Sequence, residues 1–321
     1  MSMPPYTIAH HFPAVTGALL AAHPLVGEAR AVDPTRRWAL PTDVDIIFAL
    51  HAAGTASDHD VPPPTGWPGR VRFVQLASSG IDGYPAWLLA APVVATAAGT
   101  GAVPIAEFVL AAMLNHAKRL PQLYAQDGGP VVTQADLLAA PLAGLEGKTL
   151  GLVGVGHIGS RVAALAAAFG MKVIAHRHSD VPSPSPHITI APLAAVLARA
   201  DHIVLAAPLT ATTAGMLGAA AFAQAKPGVH IVNIARGGLI DQTALAAALR
   251  SGQVGGATLD VTDPEPLPAG HPLWSAPNLK ITPHVAWSSA DTPRRIFALF
   301  ADNISRLAAG TALVNQQSRP V

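Results

Sequence analysis

Apolar residues along this chain come in short runs, each followed by glycine, proline or a polar cluster. The first are Tyr6–His10, Val44–Leu50, Val71–Leu76 and Val93–Ala97. Runs of this length between turn residues predict buried strands. Ala14–Ala22 lies between the first two and reads as a short helix. Pro104–Leu120 is the longest helical pattern in this half: Pro104 suits a first turn, Glu107 the positive end and Lys118-Arg119 the negative end. Pro121 is expected to stop it. Gln122–Gly147 is less regular. Apolar runs then resume at Thr149–Val153, Lys172–Ala175, Asp201–Ala206, Val229–Ile234, Gly256–Asp260 and Leu279–Thr282. Helices are expected at Ser160–Phe169, Pro192–Arg199 and Thr243–Ser251, with a loop at Pro182–Pro186. Strands alternating with helices predict an α/β fold with parallel sheets.

One of these strand-to-helix turns has a special composition. Thr149–Val153 runs into Gly154-Val155-Gly156-His157-Ile158-Gly159, and an alanine-rich helix follows, closed by Gly170. Gly154 permits a tight turn, Gly156 lets a pyrophosphate approach the backbone, and Gly159 lets helix and strand pack closely. The free N–H groups at the helix start favour phosphate. In this strand–turn–helix–strand setting the motif predicts dinucleotide binding. An NAD site usually carries Asp or Glu at the end of the next strand, to hold the ribose 2′-hydroxyl. This chain has His176-Arg177-His178-Ser179, with Arg177 eighteen positions after Gly159. A guanidinium binds a 2′-phosphate that a carboxylate repels, which favours NADP(H) over NAD(H). The competing reading is a surface arginine, with Asp180 or the backbone holding the ribose.

Composition bounds the alternatives. The chain has 321 residues, enough for two domains; half are hydrophobic and only 12% charged. A net charge of +1 leaves no electrostatic footprint for nucleic acid or a membrane surface. No run reaches the roughly 18 apolar residues of a membrane span, and no Lys or Arg precedes Ala14–Ala22 as a signal peptide requires. The absence of cysteine excludes disulfides, cysteine zinc sites and cysteine nucleophiles, and fits a cytoplasmic protein. There are 14 histidines but no H-E-x-x-H or comparable pair, so His10-His11 and His176/His178 read as local features and no metal is expected.

Polar residues gather after the later strands, where open parallel sheets bind ligands. Arg236 follows Val229–Ile234 and suits a small carboxylate or an oxyanion. Glu265, stiffened by Pro264 and Pro266, follows Gly256–Asp260. His284 follows the last strand and has the side chain suited to acid–base work near neutrality. A carboxylate beside that histidine favours the imidazolium and fixes the ring. A dinucleotide, a carboxylate clamp and a proton donor together describe reduction of a 2-keto acid.

Five blocks carry a wider likeness: Gly151–Gly159, Ala207–Thr213, Asn233–Asp241, Leu259–Pro268 and His271–Ala286. In their order and spacing the chain resembles the D-isomer-specific 2-hydroxyacid dehydrogenase family. The resemblance implies that Arg236 binds the substrate carboxylate and keto oxygen, that Glu265 pairs with His284, and that His284 is the acid–base residue. It implies that Asp260 and the Ala235 carbonyl contact the nicotinamide amide, that Pro208 and Thr213 line the cofactor, and that the Ser79-Gly80 backbone receives the substrate carboxylate. It also implies a Rossmann-type doubly wound dinucleotide-binding domain, 100–287, inserted in a smaller flavodoxin-like substrate domain, 1–99 and 288–321. A homodimer through the dinucleotide domain is expected, with Pro104–Leu120 and the arm after it as the candidate surface.

Arg177 in place of the usual acid points toward members that resemble glyoxylate or hydroxypyruvate reductases. Trp287 puts a large ring where small residues are common, either narrowing the substrate pocket or packing at the hinge. His51, at a strand end, is a further candidate for the substrate cleft. The leading reading is an NADPH-dependent reductase of small 2-keto acids. Two others stay open: a same-scaffold dehydrogenase of another small anion, like phosphite dehydrogenase, and a non-catalytic dinucleotide sensor, like the C-terminal-binding-protein corepressors.

Overall fold

A computed structural model describes residues 5–51, 58–123, 132–178 and 185–317. The chain divides into two compact units, 1–100 with 289–321, and 101–288, each boundary one residue beyond the expected one. Among the described residues no helix is long and apolar enough to cross a membrane.

The first unit contains β1 (Tyr6–His10), α1 (Ala14–Ala21), β2 (Val26–Ala31), β3 (Ile46–Ala49), β4 (Phe73–Leu76), α2 (Ala86–Leu89) and β5 (Val94–Ala95). Its described strands are parallel, in the order β2-β1-β3-β4-β5. Flavodoxin-like folds share that order. β3 and β4 are buried at every position, as strands covered on both faces must be. On one face Phe48 packs against Phe300 of a closing helix, Thr292–Ala309, with ring centroids 4.2 Å apart. On the other lie Ile47, Val74, Tyr84 and Leu88. Asn303 of the closing helix is fully buried and donates to the Gln75 side chain at 2.9 Å, while its Oδ1 accepts the Val314 N–H at 2.8 Å. This polar bridge fastens the C-terminal segment to the sheet.

The second unit opens with α3 (Ala102–Lys118), α4 (Leu120–Leu123) and α5 (Gln134–Ala139). Then come β6 (Thr149–Val153), α6 (His157–Ala168), β7 (Lys172–His176), β8 (Ile188–Ile190), α7 (Leu193–Arg199) and β9 (His202–Leu205). The remainder is α8 (Ala219–Gln224), β10 (Val229–Asn233), α9 (Gln242–Ser251), β11 (Val254–Leu259) and β12 (Leu279–Ile281). The strand order is β12-β11-β10-β9-β6-β7-β8, all parallel. This is a Rossmann-type doubly wound sheet whose order reverses between β6 and β9, the switch point where such sheets bind ligands. α3 and α6 cover one face through Val109, Met113, Val162 and Ala166. α7, α8 and α9 cover the other through Leu197, Phe222, Leu245 and Leu249.

Several elements differ from the sequence reading. β2 is a largely exposed edge strand, so its run VGEARA carries no apolar signature. Val93–Ala97 contributes only Val94–Ala95 as strand. α3 is ended by Arg119, whose φ of 49° is left-handed, and not by Pro121, which lies inside α4. β8, α2, α8 and the closing helix were not predicted. Most of the expected loop Pro182–Pro186 lies outside the described residues.

One feature of the second unit concerns charge. His202 and His230 are register partners near the starts of β9 and β10, with Nδ1 atoms 3.2 Å apart. His116 of α3 stacks on His230 at 4.2 Å between centroids. Burial pushes His202 down to about 4, assisted by His116, and holds His230 well below the ordinary histidine value. In the first unit burial brings His11 down to about 4 as well. Unfolded chain, titrating near 6.5, therefore binds more protons than folded chain between pH 6.5 and 4, and stability must fall as pH falls through that window. At pH 5 the loss is about 2 kcal/mol for each of His11 and His202. Urea midpoints are expected to drop between about pH 7 and pH 5, and a His202→Val, His230→Leu double variant is expected to flatten part of that slope. Equal midpoints at the two pH values contradict the burial of neutral imidazoles.

Candidate active site

Because β6 to β12 run parallel, all their C-terminal ends open on one edge of the second unit's sheet. At the end of β6, Gly154 has φ 98°, and a Cβ there would lie 2.6 Å from the Ala206 carbonyl oxygen. A Cβ on Gly159 would run into the Gly154 carbonyl, so the first turn of α6 sits directly on the loop. A Cβ on Gly156 meets nothing within 4 Å. Gly156 is the N-cap of α6, with no side chain capping the N–H groups of the first turn, which includes His157 and Ile158. An open backbone at an uncapped helix start fits a pyrophosphate. Gly154 N–H donates to the His176 carbonyl at 2.9 Å, which sets the next residue, half-buried Arg177, beside this loop. Asp180 lies outside the described residues.

After β9, the Thr213 hydroxyl donates to the Pro208 carbonyl at 2.8 Å and accepts the Thr210 N–H at 2.8 Å. Thr213 and Pro208 thus shape one loop on the same edge. After β10, the buried Asn233 side chain donates to the Arg236 carbonyl at 2.8 Å and accepts the Ala235 N–H at 3.1 Å. Arg236 itself donates to the Ala235 carbonyl at 2.7 Å, which occupies one of that oxygen's two lone pairs. Gly237 is packed so tightly that a Cβ would collide with the Thr262 carbonyl group. The Arg236 loop and the Thr262–Glu265 loop are therefore held backbone to backbone.

His284 Nδ1–H donates to Glu265 Oε1 at 2.8 Å, and Glu265 Oε2 accepts the Thr262 N–H at 3.4 Å. Burial pushes the Glu265 carboxyl up. The hydrogen bond and charge of His284, the Thr262 N–H and the Arg236 charge outweigh that and hold it below the usual carboxylate range. The structure thus brings Arg236, Glu265 and His284 into one electrostatic unit. Nδ1 is thus the His284 ring nitrogen committed to the carboxylate. Among the described residues no three His, Asp or Glu side chains are grouped to hold a metal ion.

Asp260 is only 2% exposed. Its carboxylate accepts the Thr282 hydroxyl at 2.6 Å and the Val285 and Ala286 N–H groups at 2.9 Å each. Its backbone carbonyl takes the His284 N–H at 2.8 Å. Asp260 thereby anchors the loop that presents His284. Trp287 donates its indole N–H to the His284 carbonyl at 2.9 Å. Asn233, Thr262 and Thr282 were missed from sequence. Each sits within three residues of a residue that was singled out, but only distance shows which of them braces the site.

Ser79, Gly80 and His51 belong to the first unit. Ser79 and Gly80 follow β4, where the Ser78 hydroxyl donates to the Gly80 carbonyl at 2.7 Å and meets the Tyr84 hydroxyl at 3.0 Å. His51 follows β3 and meets Tyr84 edge-on at 5.2 Å. Tyr84 and Ser78 were not singled out from sequence.

Residues 110–286 match the model of the D-isomer specific 2-hydroxyacid dehydrogenase NAD binding domain. Glycerate dehydrogenase of Methylorubrum extorquens is 40% identical over 172 residues, 53% of this chain and 53% of that protein. The chain spans about half the length of several curated relatives that it matches. The solved structure of the TT0316 protein from Thermus thermophilus is 30% identical, with a TM-score of 0.78 over 97% of this chain and 100% of that one. A D-isomer specific 2-hydroxyacid dehydrogenase from Xanthobacter autotrophicus, solved with NADPH and MES, is 27% identical, with a TM-score of 0.74 over 98% of each chain.

The tight seat of Gly237 makes a direct expectation. Gly237→Ala forces the Arg236 and Thr262 loops apart and costs about 1–3 kcal/mol, as overpacking does. Thermal unfolding should show the variant melting several degrees lower. A melting temperature within about one degree of wild type contradicts the close approach.

Proposed function

The chain belongs to the D-isomer specific 2-hydroxyacid dehydrogenase family, and on that premise we propose that it reduces small 2-keto acids of the glyoxylate or hydroxypyruvate type, using NADPH in preference to NADH. The observation that carries the reading is the 2.8 Å pair of His284 and Glu265, with Arg236 acting on the same carboxylate, on the ligand-binding edge of a Rossmann-type sheet. On this reading residues 101–288 hold the cofactor.

The roles follow from the chemistry of each group. Gly154, Gly156 and Gly159, with the N–H groups of His157 and Ile158, would receive the pyrophosphate. Pro208, Thr213, Ala235 and Asp260 would border the rest of the cofactor. When bound, the cofactor supplies a hydride to the carbonyl carbon of the keto acid. Arg236 pairs with the substrate carboxylate and draws electron density onto the keto oxygen, with a fork of N–H donors suited to both. His284 delivers its proton to that oxygen as negative charge develops there. Glu265 accepts the Nδ1–H and so holds the ring, while its lowered pKa keeps the carboxylate ionised. The reverse sequence oxidises a D-2-hydroxy acid, with His284 as base.

Preference for NADPH rests on Arg177, at the end of β7 and beside the glycine loop. A guanidinium there answers a 2′-phosphate with two parallel N–H bonds. The related Xanthobacter structure was solved with NADPH. The proposal extends to a cytoplasmic homodimer built through residues 101–288, with α3 and the segment after it as the surface.

Side-by-side fluorescence titration with NADPH and NADH tests the cofactor, and glyoxylate or hydroxypyruvate turnover tests the reaction. Arg177→Ser is expected to weaken NADPH at least about tenfold and leave NADH within about twofold, since a charge-assisted bidentate pair is lost for one cofactor alone. Equal loss for both cofactors removes Arg177 from the 2′-phosphate site. Arg236→Ala is expected to lower kcat/KM for the keto acid by about 10²–10³-fold, as loss of one charged clamp does, with cofactor binding unchanged. Wild-type turnover in that variant overturns the assignment. His284→Ala should bind NADPH normally and lose proton transfer, by about 10²–10⁴-fold in kcat. A normal rate at neutral pH rejects that role.

A further inference from the structure

His284 stands in the left-handed region, with φ 55°. A side chain bearing a Cβ is disfavoured there, because the Cβ crowds the neighbouring carbonyl. Strained backbones of this kind persist only where the surroundings over-determine them. The His284 N–H is taken by the Asp260 carbonyl at 2.8 Å and the Thr282 carbonyl at 3.0 Å. The His284 carbonyl is taken by the indole N–H of Trp287 at 2.9 Å. The imidazole is taken by Glu265 at 2.8 Å.

From this we infer that Trp287 is a positioning residue for His284: its indole N–H holds the His284 carbonyl, keeps that backbone left-handed, and so keeps the imidazole on Glu265. The inference rests on the reductase reading of the site. It departs from a role as pocket wall, which needs only the bulk of the ring.

The local geometry favours the positioning role. Asp260 fixes the residues on both sides, through Thr282, Val285 and Ala286, but its bonds leave the His284 carbonyl untouched. Trp287 reaches back three residues and closes the turn with a side-chain donor where a backbone N–H would serve in an ordinary turn. Its base lies near the start of α3, where a Cβ added to Gly101, the N-cap, would come 3.6 Å from the Trp287 Cβ. The residue itself is 48% exposed, so the bond is not a by-product of core packing. Release of the carbonyl lets φ relax toward negative values. The imidazole then swings away from Glu265, and misplacement of about 1 Å slows a positioned proton transfer markedly.

Two variants separate the roles. Trp287→Phe keeps an aromatic ring and removes the N–H; Trp287→Ala removes both. If Trp287 positions His284, both variants lose about tenfold in kcat, about 1.4 kcal/mol of barrier, with the KM for the keto acid of the Phe variant within about twofold of wild type. The backbone ¹³Cα shift of His284, read by NMR with no substrate present, moves away from its left-handed value in both. An unchanged shift overturns the inference, and so does a shift that moves while the Phe variant keeps wild-type kcat. A Phe variant like wild type beside an Ala variant raised in KM alone assigns Trp287 to the pocket wall instead. If the wild type turns over no 2-keto acid, the proposed function fails, and the NMR shift still decides whether the indole holds His284.

Discussion

Parallel strands impose one direction on everything that follows them. Each strand of the second unit leaves the sheet on the same edge, so the loops after β6, β9, β10, β11 and β12 share one small region although they lie far apart along the chain. Gly154, Thr213, Arg236, Glu265 and His284 are neighbours through that constraint. It requires strands covered on both faces, which is why β9 and β10 are buried at every position and β6 and β11 at all but one. The helices that cover the faces stabilise the sheet, and the uncovered edge is left for chemistry.

The loops on that edge are held by buried polar groups rather than by apolar packing. Asp260 gathers three donors from the segment after β12. Asn233 braces the turn that carries Arg236. Thr262 steadies Glu265 through its N–H. A buried carboxylate or amide is costly unless its hydrogen bonds are made. Each of these side chains therefore favours one conformation of its loop strongly over others. The result is one preferred placement for the His284–Glu265 pair.

The opposite end of the same strands solves a different problem. His202 and His230 start β9 and β10 where apolar residues would pack as well, and burial keeps them neutral. The two Nδ1 atoms share a hydrogen bond and His230 Nε2 meets the Thr258 hydroxyl, so both nitrogens of His230 are served without charge. One residue type thus has two roles. Beside a carboxylate at the open edge it is suited to carry a proton; between β-strands and α3 it is a neutral packing unit.

The α/β class, the glycine turn and the proposed catalytic residues were all legible from the order of residues. Those signals are local: an apolar run followed by G-x-G-x-x-G states its own geometry, and Arg236, Glu265 and His284 each follow a readable strand. Edge strand β2 was not legible, because its largely exposed run has no apolar signature; the closing helix does carry one, with Ile296, Phe300, Ile304 and Leu307 at helical spacing, and it went unread. The tertiary structure alone decided that Asn233, Thr262 and Thr282 brace the site, that Asp260 commits its carboxylate to the His284 loop, and that the Trp287 indole reaches back to His284. Hydrogen bonds of this kind depend on distances of about 3 Å between loops that leave different strands, or on a left-handed turn at a histidine, and neither is written in the order of residues.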